Sequence, residues 1–284
     1  MSPTKHPVTL DGVSETALMT LNSRAREAAR PDAIIDDPMA IRLVESIDYD
    51  FAKFGGTRQD MALRAAAFDA HTRRYLDRHP AATVVALAEG LQTSFWRLDA
   101  AIPDPAFRWL TVDLPPVIEV RSRLLPSSPR VVALPQSALD YSWMDRVDAS
   151  QGVFITAEGL LMYLQPEQAL ELIAECAHRF PGAQMLFDLA PLWLSALSRS
   201  GLGLRPSRRY RVPPMPFSRS AHALAELLMT LPGVQTVHDL RLPRGRGPVF
   251  NTVLGMSYSV PLLDWLRGAL TLVEFAPESN AASR

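Results

Sequence analysis

Three charged side chains and one short turn stand where chemistry is possible. Asp113 follows the apolar run 107–112, and Leu114-Pro115-Pro116 starts a helix directly after it. An acid at the tip of a parallel strand can hydrogen-bond the two vicinal hydroxyls of a ribose. It can also cap the helix, and on the residues alone the two readings weigh about equally. Nicotinamide enzymes use the same device, so Asp113 by itself does not choose a cofactor. Glu158 ends a second apolar run in Thr156-Ala157-Glu158-Gly159-Leu160-Leu161-Met162-Tyr163-Leu164. A carboxylate there can stabilise a cation or hydrogen-bond a ligand, and Tyr163 either faces a substrate or packs. Arg64, in Met61-Ala62-Leu63-Arg64-Ala65-Ala66-Ala67-Phe68-Asp69, is a planar fork that matches a carboxylate, although a single helical arginine is more often a solvated one. The turn Ala88-Glu89-Gly90 is small, acidic, small. It follows the β-branched run 84–87 and precedes Leu91, Phe95 and Leu98 at helical spacing. Strand, turn and helix make half a βαβ unit, whose turn N–H groups favour an anionic ligand.

The elements that position these residues follow from periodicity. Strands are expected at 83–88, 107–112, 130–134, 152–157 and 183–188, with helices at 115–125 and 166–180 between them, so the sheet is parallel. A helix at 219–231 and strands at 234–241 and 249–258 follow, the last two joined by the short stretch 242–248, which demands an antiparallel hairpin. Ahead of the sheet, residues 1–13 read as frayed. Leu18, Leu21, Ala25 and Ala28 share a helical face, Asp37-Pro38 opens a second helix, and Met61, Ala65, Phe68, Thr72 and Tyr75 give a third. The expected organisation is a helical cap over 1–80, a ligand-binding α/β domain over 81–275, and a loose tail at 276–284. A lid at 193–218 carries Arg199, Arg205, Arg208, Arg209 and Arg211 among apolar residues, which suits an acidic aromatic or acyl substrate.

Composition narrows the class. A chain of 284 residues, 48% hydrophobic, buries a large core, and its net charge of −1 argues against nucleic acid as a partner. Lys5 and Lys53 are the only lysines, and the one cysteine, Cys176, lies in a helical pattern as a small core residue. The six histidines show no metal-binding spacing, so no metal is expected, and no G-x-S-x-G suggests a hydrolase. Neither a signal peptide nor a membrane-spanning run is visible, so a soluble cytoplasmic protein is expected.

The run Leu87-Ala88-Glu89-Gly90-Leu91-Gln92-Thr93-Ser94-Phe95-Trp96-Arg97-Leu98 resembles the glycine loop of the leucine carboxyl methyltransferase family, L-G-x-G-x-D-T-x-x-[WY]-R-L, which includes polyketide O-methyltransferases. Two positions depart. Ala88 replaces the first glycine and can still offer its backbone, provided its φ is negative. Gln92 replaces an aspartate and loses its charge. Val112-Asp113-Leu114-Pro115 followed by Arg121 is similar to the family's V-D-x-P, and Ala157-Glu158-Gly159-Leu160-Leu161-Met162-Tyr163-Leu164 to its A-E-G-[VL]-L-x-Y-L. The resemblance implies an α/β, Rossmann-like class I methyltransferase with a mostly parallel seven-stranded sheet, a C-terminal antiparallel hairpin and an N-terminal helical cap. It implies S-adenosylmethionine as cofactor. Arg64 would hold the cofactor's carboxylate, with Arg24 as a weaker candidate, and Asp113 the ribose. Ala88, Glu89, Gly90, Leu114 and Glu158 would line the rest. Ser137-Ala138, where the family often has Asp-Leu, would meet the adenine edge, with Trp143 a wall of that pocket or, more safely, core. The implied reaction is O-methylation of a hydroxyl or carboxyl of a small molecule, of polyketide type, with Glu158 and Tyr163 as catalytic candidates. Two rivals stand beside it: a nicotinamide oxidoreductase, which would want G-x-G-x-x-G, and a binding protein without activity, which Ala88 and Gln92 favour.

Overall fold

The computed structural model describes residues 5–278. A seven-stranded sheet runs through it: β1 (Thr83–Leu87), β2 (Arg108–Asp113), β3 (Val131–Pro135), β4 (Val153–Ala157), β5 (Gln184–Leu189), β6 (Val234–Asp239) and β7 (Ala269–Phe275). Their spatial order is β3-β2-β1-β4-β5-β7-β6. The first five are parallel. β7 enters antiparallel beside β5, pairing Gln184 with Glu274 and Leu189 with Ala269, and β6 lies antiparallel outside it.

Alternation along the strands builds two cores. Val85, Leu87, Val112, Ile155 and Phe187 face helices α5 (Pro115–Leu124), α6 (Pro166–Arg179) and α8 (Ala221–Leu228), with α7 (Leu192–Arg199) following β5. Val84, Ala86, Trp109, Phe154 and Leu186 face α3 (Gln59–Leu76) and α4 (Ser94–Ala101). A parallel sheet covered on both sides needs mostly apolar residues at its central positions, which is why β1, β4 and β5 read as largely apolar runs. Cys176 is fully buried on α6, a packing residue. Ahead of the sheet, α1 (Thr16–Ala28) and α2 (Pro38–Ser46) pack together, with Asp37 capping α2 by accepting from the Ala40 N–H at 3.0 Å. No helix among the described residues is long and apolar enough to cross a membrane.

Three expectations are corrected. Residues 6–10 are not frayed: His6–Pro7 pairs with Ile47–Asp48, and Val8 and Leu10 are buried. Residues 249–258 do not form a strand. They lie in α9 (Pro248–Ser259), and the second antiparallel strand is Ala269–Phe275. Val249, Thr252 and Val253 gave the segment a strand-like look, but Pro248 occupies the first helical turn, where its missing N–H costs nothing. The antiparallel C-terminal pair therefore stands, with a helix and a 3-10 turn between its members instead of a tight loop. The tail expected from 276 is anchored at its start: Ala276 donates to Gly233 O at 2.8 Å and accepts from Gly182 N–H at 3.0 Å, while 279–284 lies outside the described residues.

Candidate active site

A cavity of about 560 Å³ opens at the carboxyl ends of β1, β2, β4 and β5. The glycine loop after β1 forms one wall. Two buried arginines hold it by three successive carbonyls: Arg121 Nη1 donates to Gly90 O at 2.7 Å and Gln92 O at 3.1 Å, and Arg24 Nη2 to Leu91 O at 2.7 Å. Ala88 has φ +48°. The condition of a negative φ is therefore not met, and an L-residue occupies the left-handed conformation for which glycine is suited. Gly90 has φ +58°, and a Cβ there would stand 3.0 Å from Ala17 Cβ.

Asp113 is buried at the tip of β2. Its Oδ2 accepts from Gly90 N–H at 2.6 Å and its Oδ1 from Leu114 N–H at 2.7 Å. Burial pushes its carboxyl up against the pull of these two donors. Each oxygen keeps a lone pair for a further donor. Glu89 lines the same wall, but its side chain turns inward: Oε2 accepts from Trp109 Nε1 at 3.2 Å and from Thr111 Oγ1, and pairs with Arg121 Nη2 at 2.8 Å. It braces the loop from behind. Leu114 and Ala138 line the cavity; Ser137 is exposed, does not line it, and its hydroxyl accepts from Leu139 N–H. Gln136, not singled out from sequence, lines it instead. Trp143 is core, fully buried, stacked on Phe180 and donating to Ala138 O at 3.1 Å.

Arg64, Glu158 and a residue that sequence reasoning missed, Asp188, meet at the centre. Arg64 Nε donates to Glu158 Oε1 at 2.9 Å and Nη1 to Asp188 Oδ2 at 3.1 Å. Burial works against the guanidinium's charge, but Asp188 and Glu158 outweigh it and hold Arg64 protonated above its ordinary range. Asp188 Oδ1 also accepts from Gly159 N–H at 2.7 Å, and burial pushes this carboxyl up. Gln92, whose lost charge stood out in the sequence, donates from Nε2 to Glu158 Oε2 at 2.7 Å. An aspartate here would face Glu158 with like charge. Gly159 has φ +68°, and a Cβ on it would lie 3.3 Å from both terminal nitrogens of Arg64.

Arg24 does not reach this cluster. It is buried against Asp37 at 3.2 Å, and burial lowers its pKa. Tyr163 lines the cavity, its phenol pushed up to about 12 by burial. The outer cavity is apolar, lined among others by Leu194, Leu204, Val212 and Met215 from the expected lid and by Phe250, Val253 and Leu254 from α9. The lid's arginines do not line it. Arg199, Arg205, Arg208, Arg209 and Arg211 lie outside, Arg209 paired with Asp50 and Arg211 donating to Ser200 O. Among the described residues no group of three His, Cys, Asp or Glu is placed to hold a metal ion.

The residues at the sheet edge fit a nucleoside-bearing amino acid: an acid with free lone pairs at one end, a partly buried guanidinium with unused N–H donors at the other, and a loop whose close approach a side chain would block. Comparison with known proteins points the same way. The sequence profile of the family described as leucine carboxyl methyltransferase matches residues 17–177. The chain is 34% identical over 189 residues to the tetracenomycin polyketide synthesis O-methyltransferase TcmP of Streptomyces glaucescens, covering 66% of this chain and 69% of that protein. It is 27% identical over 193 residues to the S-adenosyl-L-methionine-dependent methyltransferase dpfgK of Gibberella zeae, covering 62% of this chain and 64% of that protein. In fold it matches a DUF574-family protein from Streptomyces avermitilis with a TM-score of 0.57 at 13% identity, covering 92% of this chain and 97% of that one.

Proposed function

This chain belongs to the leucine carboxyl methyltransferase family of S-adenosylmethionine-dependent enzymes, and from that premise we propose that it methylates a carboxylate oxygen of an apolar small molecule. The observation that carries the choice of acceptor is the absence of a free base. Among the described residues that line the cavity there is no histidine, lysine or cysteine, and Tyr163 stays a neutral phenol with its pKa near 12. Glu158 and Asp188 are engaged by Arg64, Asp60 by Arg58, Glu89 by Arg121, and Asp113 by the Gly90 and Leu114 N–H groups, its remaining lone pairs being assigned to the cofactor ribose. A phenol, with an ordinary pKa of about 10, needs help to become a nucleophile at neutral pH; a carboxylic acid, at about 4, arrives ionised.

Bound at the sheet edge, the cofactor supplies an electrophilic methyl on a positively charged sulfur. Asp113 would accept from the ribose hydroxyls, Arg64 would donate to the carboxylate, and Glu158 would take the ammonium. Ala88, Gly90 and Leu114 shape the walls, with Gln136 and Ala138 at the base. The apolar lining of Leu194, Leu204, Val212, Met215, Phe250 and Leu254 then does two things. It takes a ring system or acyl chain by burial, and it keeps out water. With water excluded, the attraction between the substrate anion and a cationic sulfur is screened less, and alignment replaces base catalysis. An acid of polyketide type meets these demands, which agrees with the role printed in the name of the Streptomyces glaucescens relative.

The test is transfer of isotopically labelled methyl from S-adenosylmethionine to a panel of apolar carboxylic acids and phenols. Acids should be labelled, and the label should leave as methanol on mild base treatment. Labelled phenols with unlabelled acids would overturn the choice of acceptor.

A further inference from the structure

Several acids around the cavity have no cation to themselves: Asp113 is held by two backbone N–H groups, and Arg267 and Arg64 are each shared by two carboxylates. Asp60 is matched by Arg58, Glu89 by Arg121, and Arg267 is taken by Asp239 and Asp264. Behind the glycine loop, Arg24 and Arg97 stand against Asp37 and Asp69. At the centre, however, Glu158 and Asp188 share the one guanidinium of Arg64. Glu158 is held twice, by Arg64 and by the Gln92 amide. Asp188 is held by Arg64 and one backbone N–H, with its side chain 11% exposed on the cavity side. Burying an anion that is not fully matched is costly unless something cationic joins it.

S-adenosylmethionine carries one carboxylate, one ammonium and one sulfonium, a net charge of plus one. Its demethylated product keeps the first two and loses the third, so it is neutral overall. We propose that Asp188 is a specificity-determining anion that makes this site favour the sulfonium form of the cofactor over its thioether product. The inference rests on the cofactor assignment above and adds to it a reason for product to leave. Its position supports the role. Asp188 projects from the end of a buried central strand, clamped by Gly159 N–H, so its charge cannot swing out to solvent when the sulfonium disappears. Glu158, on the turn after β4, matches the ammonium that both forms retain, and so does not discriminate between them.

The experiment is calorimetric binding of three ligands: S-adenosylmethionine, S-adenosylhomocysteine, and the amine isostere that carries an ammonium where the sulfonium stands. Asp188→Asn keeps the shape and an acceptor oxygen for Gly159. It should weaken the first and third ligands by about tenfold, the scale of one partly buried charge interaction, and the second by less than about twofold. Equal losses for all three, or no loss, would overturn the proposal and leave Asp188 a structural residue. If the variant does not fold, the wild-type protein still decides. Protonating Asp188, which faces Arg64, Glu158 and Tyr163, should shrink the preference for the sulfonium ligand as pH falls through the carboxyl range. A preference that holds constant across that range overturns the inference. Wild-type protein that binds none of the three ligands would overturn the cofactor assignment instead, which keeps the two failures apart.

Discussion

Ala88 and Gly159 both sit in the left-handed region, at φ +48° and +68°, yet substitution should move them in opposite directions. At Ala88 the Cβ is already present and strained, by about 1–2 kcal/mol for an L-residue in this conformation. Ala88→Gly relieves that strain but gives the unfolded chain more freedom, so a net gain of about 1 kcal/mol is expected, a rise in melting temperature of about 2–4 °C. Thermal unfolding reads it, and a fall in melting temperature would refute it. Gly159→Ala adds both the strain and a Cβ 3.3 Å from the Arg64 terminal nitrogens. Its cofactor affinity should drop by about tenfold, because a bidentate fork tolerates little displacement; calorimetry with unchanged affinity would show that Arg64 does not hold the ligand. These residues also mark what single positions reveal in sequence. Asp113 and Glu158 are visible as acids ending apolar runs, and Arg64 as a charge in an apolar helical stretch. Asp188 carries the same signal, an acid in Met185-Leu186-Phe187-Asp188-Leu189, but no motif draws attention to it. Gln92 reads as a loss of charge until Glu158 is seen beside it. The sign of φ at Ala88 depends on how the loop's carbonyls are held, by Arg24 and Arg121, which no local pattern displays.

The N-terminus of α2 shows an element whose local signal understates its role. Asp37-Pro38 reads as a helix cap, and Asp37 does cap. It also accepts from Thr93 Oγ1 at 2.7 Å and 2.8 Å, from Arg24 Nε at 3.2 Å and from Arg97 Nη1 at 2.8 Å, so α1, α2, α4 and the glycine loop converge on one buried carboxylate. Burial alone would raise its pKa, but Arg97 and Arg24 outweigh burial and hold it below its ordinary 3.8. A depressed carboxyl contributes stability that is present above the unfolded-state value and is lost as pH falls through the folded one. Asp113 and Asp188, pushed up by burial, contribute with the opposite slope. The difference between wild type and Asp37→Asn isolates the first effect. The variant should lose about 3–5 kcal/mol at neutral pH, because buried Arg24 loses its anion and Arg97 keeps only Asp69, and less stability than wild type on going from pH 5 to pH 2. Urea unfolding across that range measures it; parallel pH curves would show that the pairing contributes nothing. The lid teaches the converse. Its arginines drew a substrate-binding reading, but in this segment charge marks the solvent face, and Leu204, Val212 and Met215 are the residues that turn inward.

At the scale of the molecule, the sheet was legible because a parallel sheet covered on both faces leaves runs of apolar residues; five runs lie in order, and the turns after β1 and β4 and the ends of β2 and β5 carry acids. The closure of the cavity was not legible, because it joins segments far apart in the chain. Residues 242–248 look like a hairpin loop, yet they lie against the N-terminal helices. Gln59 on α3 donates to Arg246 O at 3.2 Å and accepts from Arg246 N–H at 2.7 Å. The Arg246 guanidinium meets both oxygens of the buried Glu27 on α1, which lowers the Glu27 pKa first through these side-chain hydrogen bonds. The contact carries α9 to the cavity mouth, where Phe250, Val253 and Leu254 complete the apolar wall. Arg246 also donates to Asp32 O at 3.2 Å and pairs with the Asp32 carboxylate at 3.5 Å, so charge-assisted pairs and a reciprocal backbone clasp hold the contact. Arg246→Ala removes the pair, leaves Glu27 without its cation and frees the 242–259 segment to move away from α1 and α3. The cluster of Arg64, Glu158 and Asp188 is held by α3, by the turn after β4 and by β5, and does not depend on Arg246. Cofactor affinity should therefore stay within about twofold of wild type, while KM for an apolar acid rises by about tenfold, as the wall that buries the substrate loosens. Limited proteolysis should at the same time cut the variant faster within 242–260. A variant whose cofactor affinity falls together with its KM, or whose KM is unchanged, would show that this clasp does not govern the substrate half of the site.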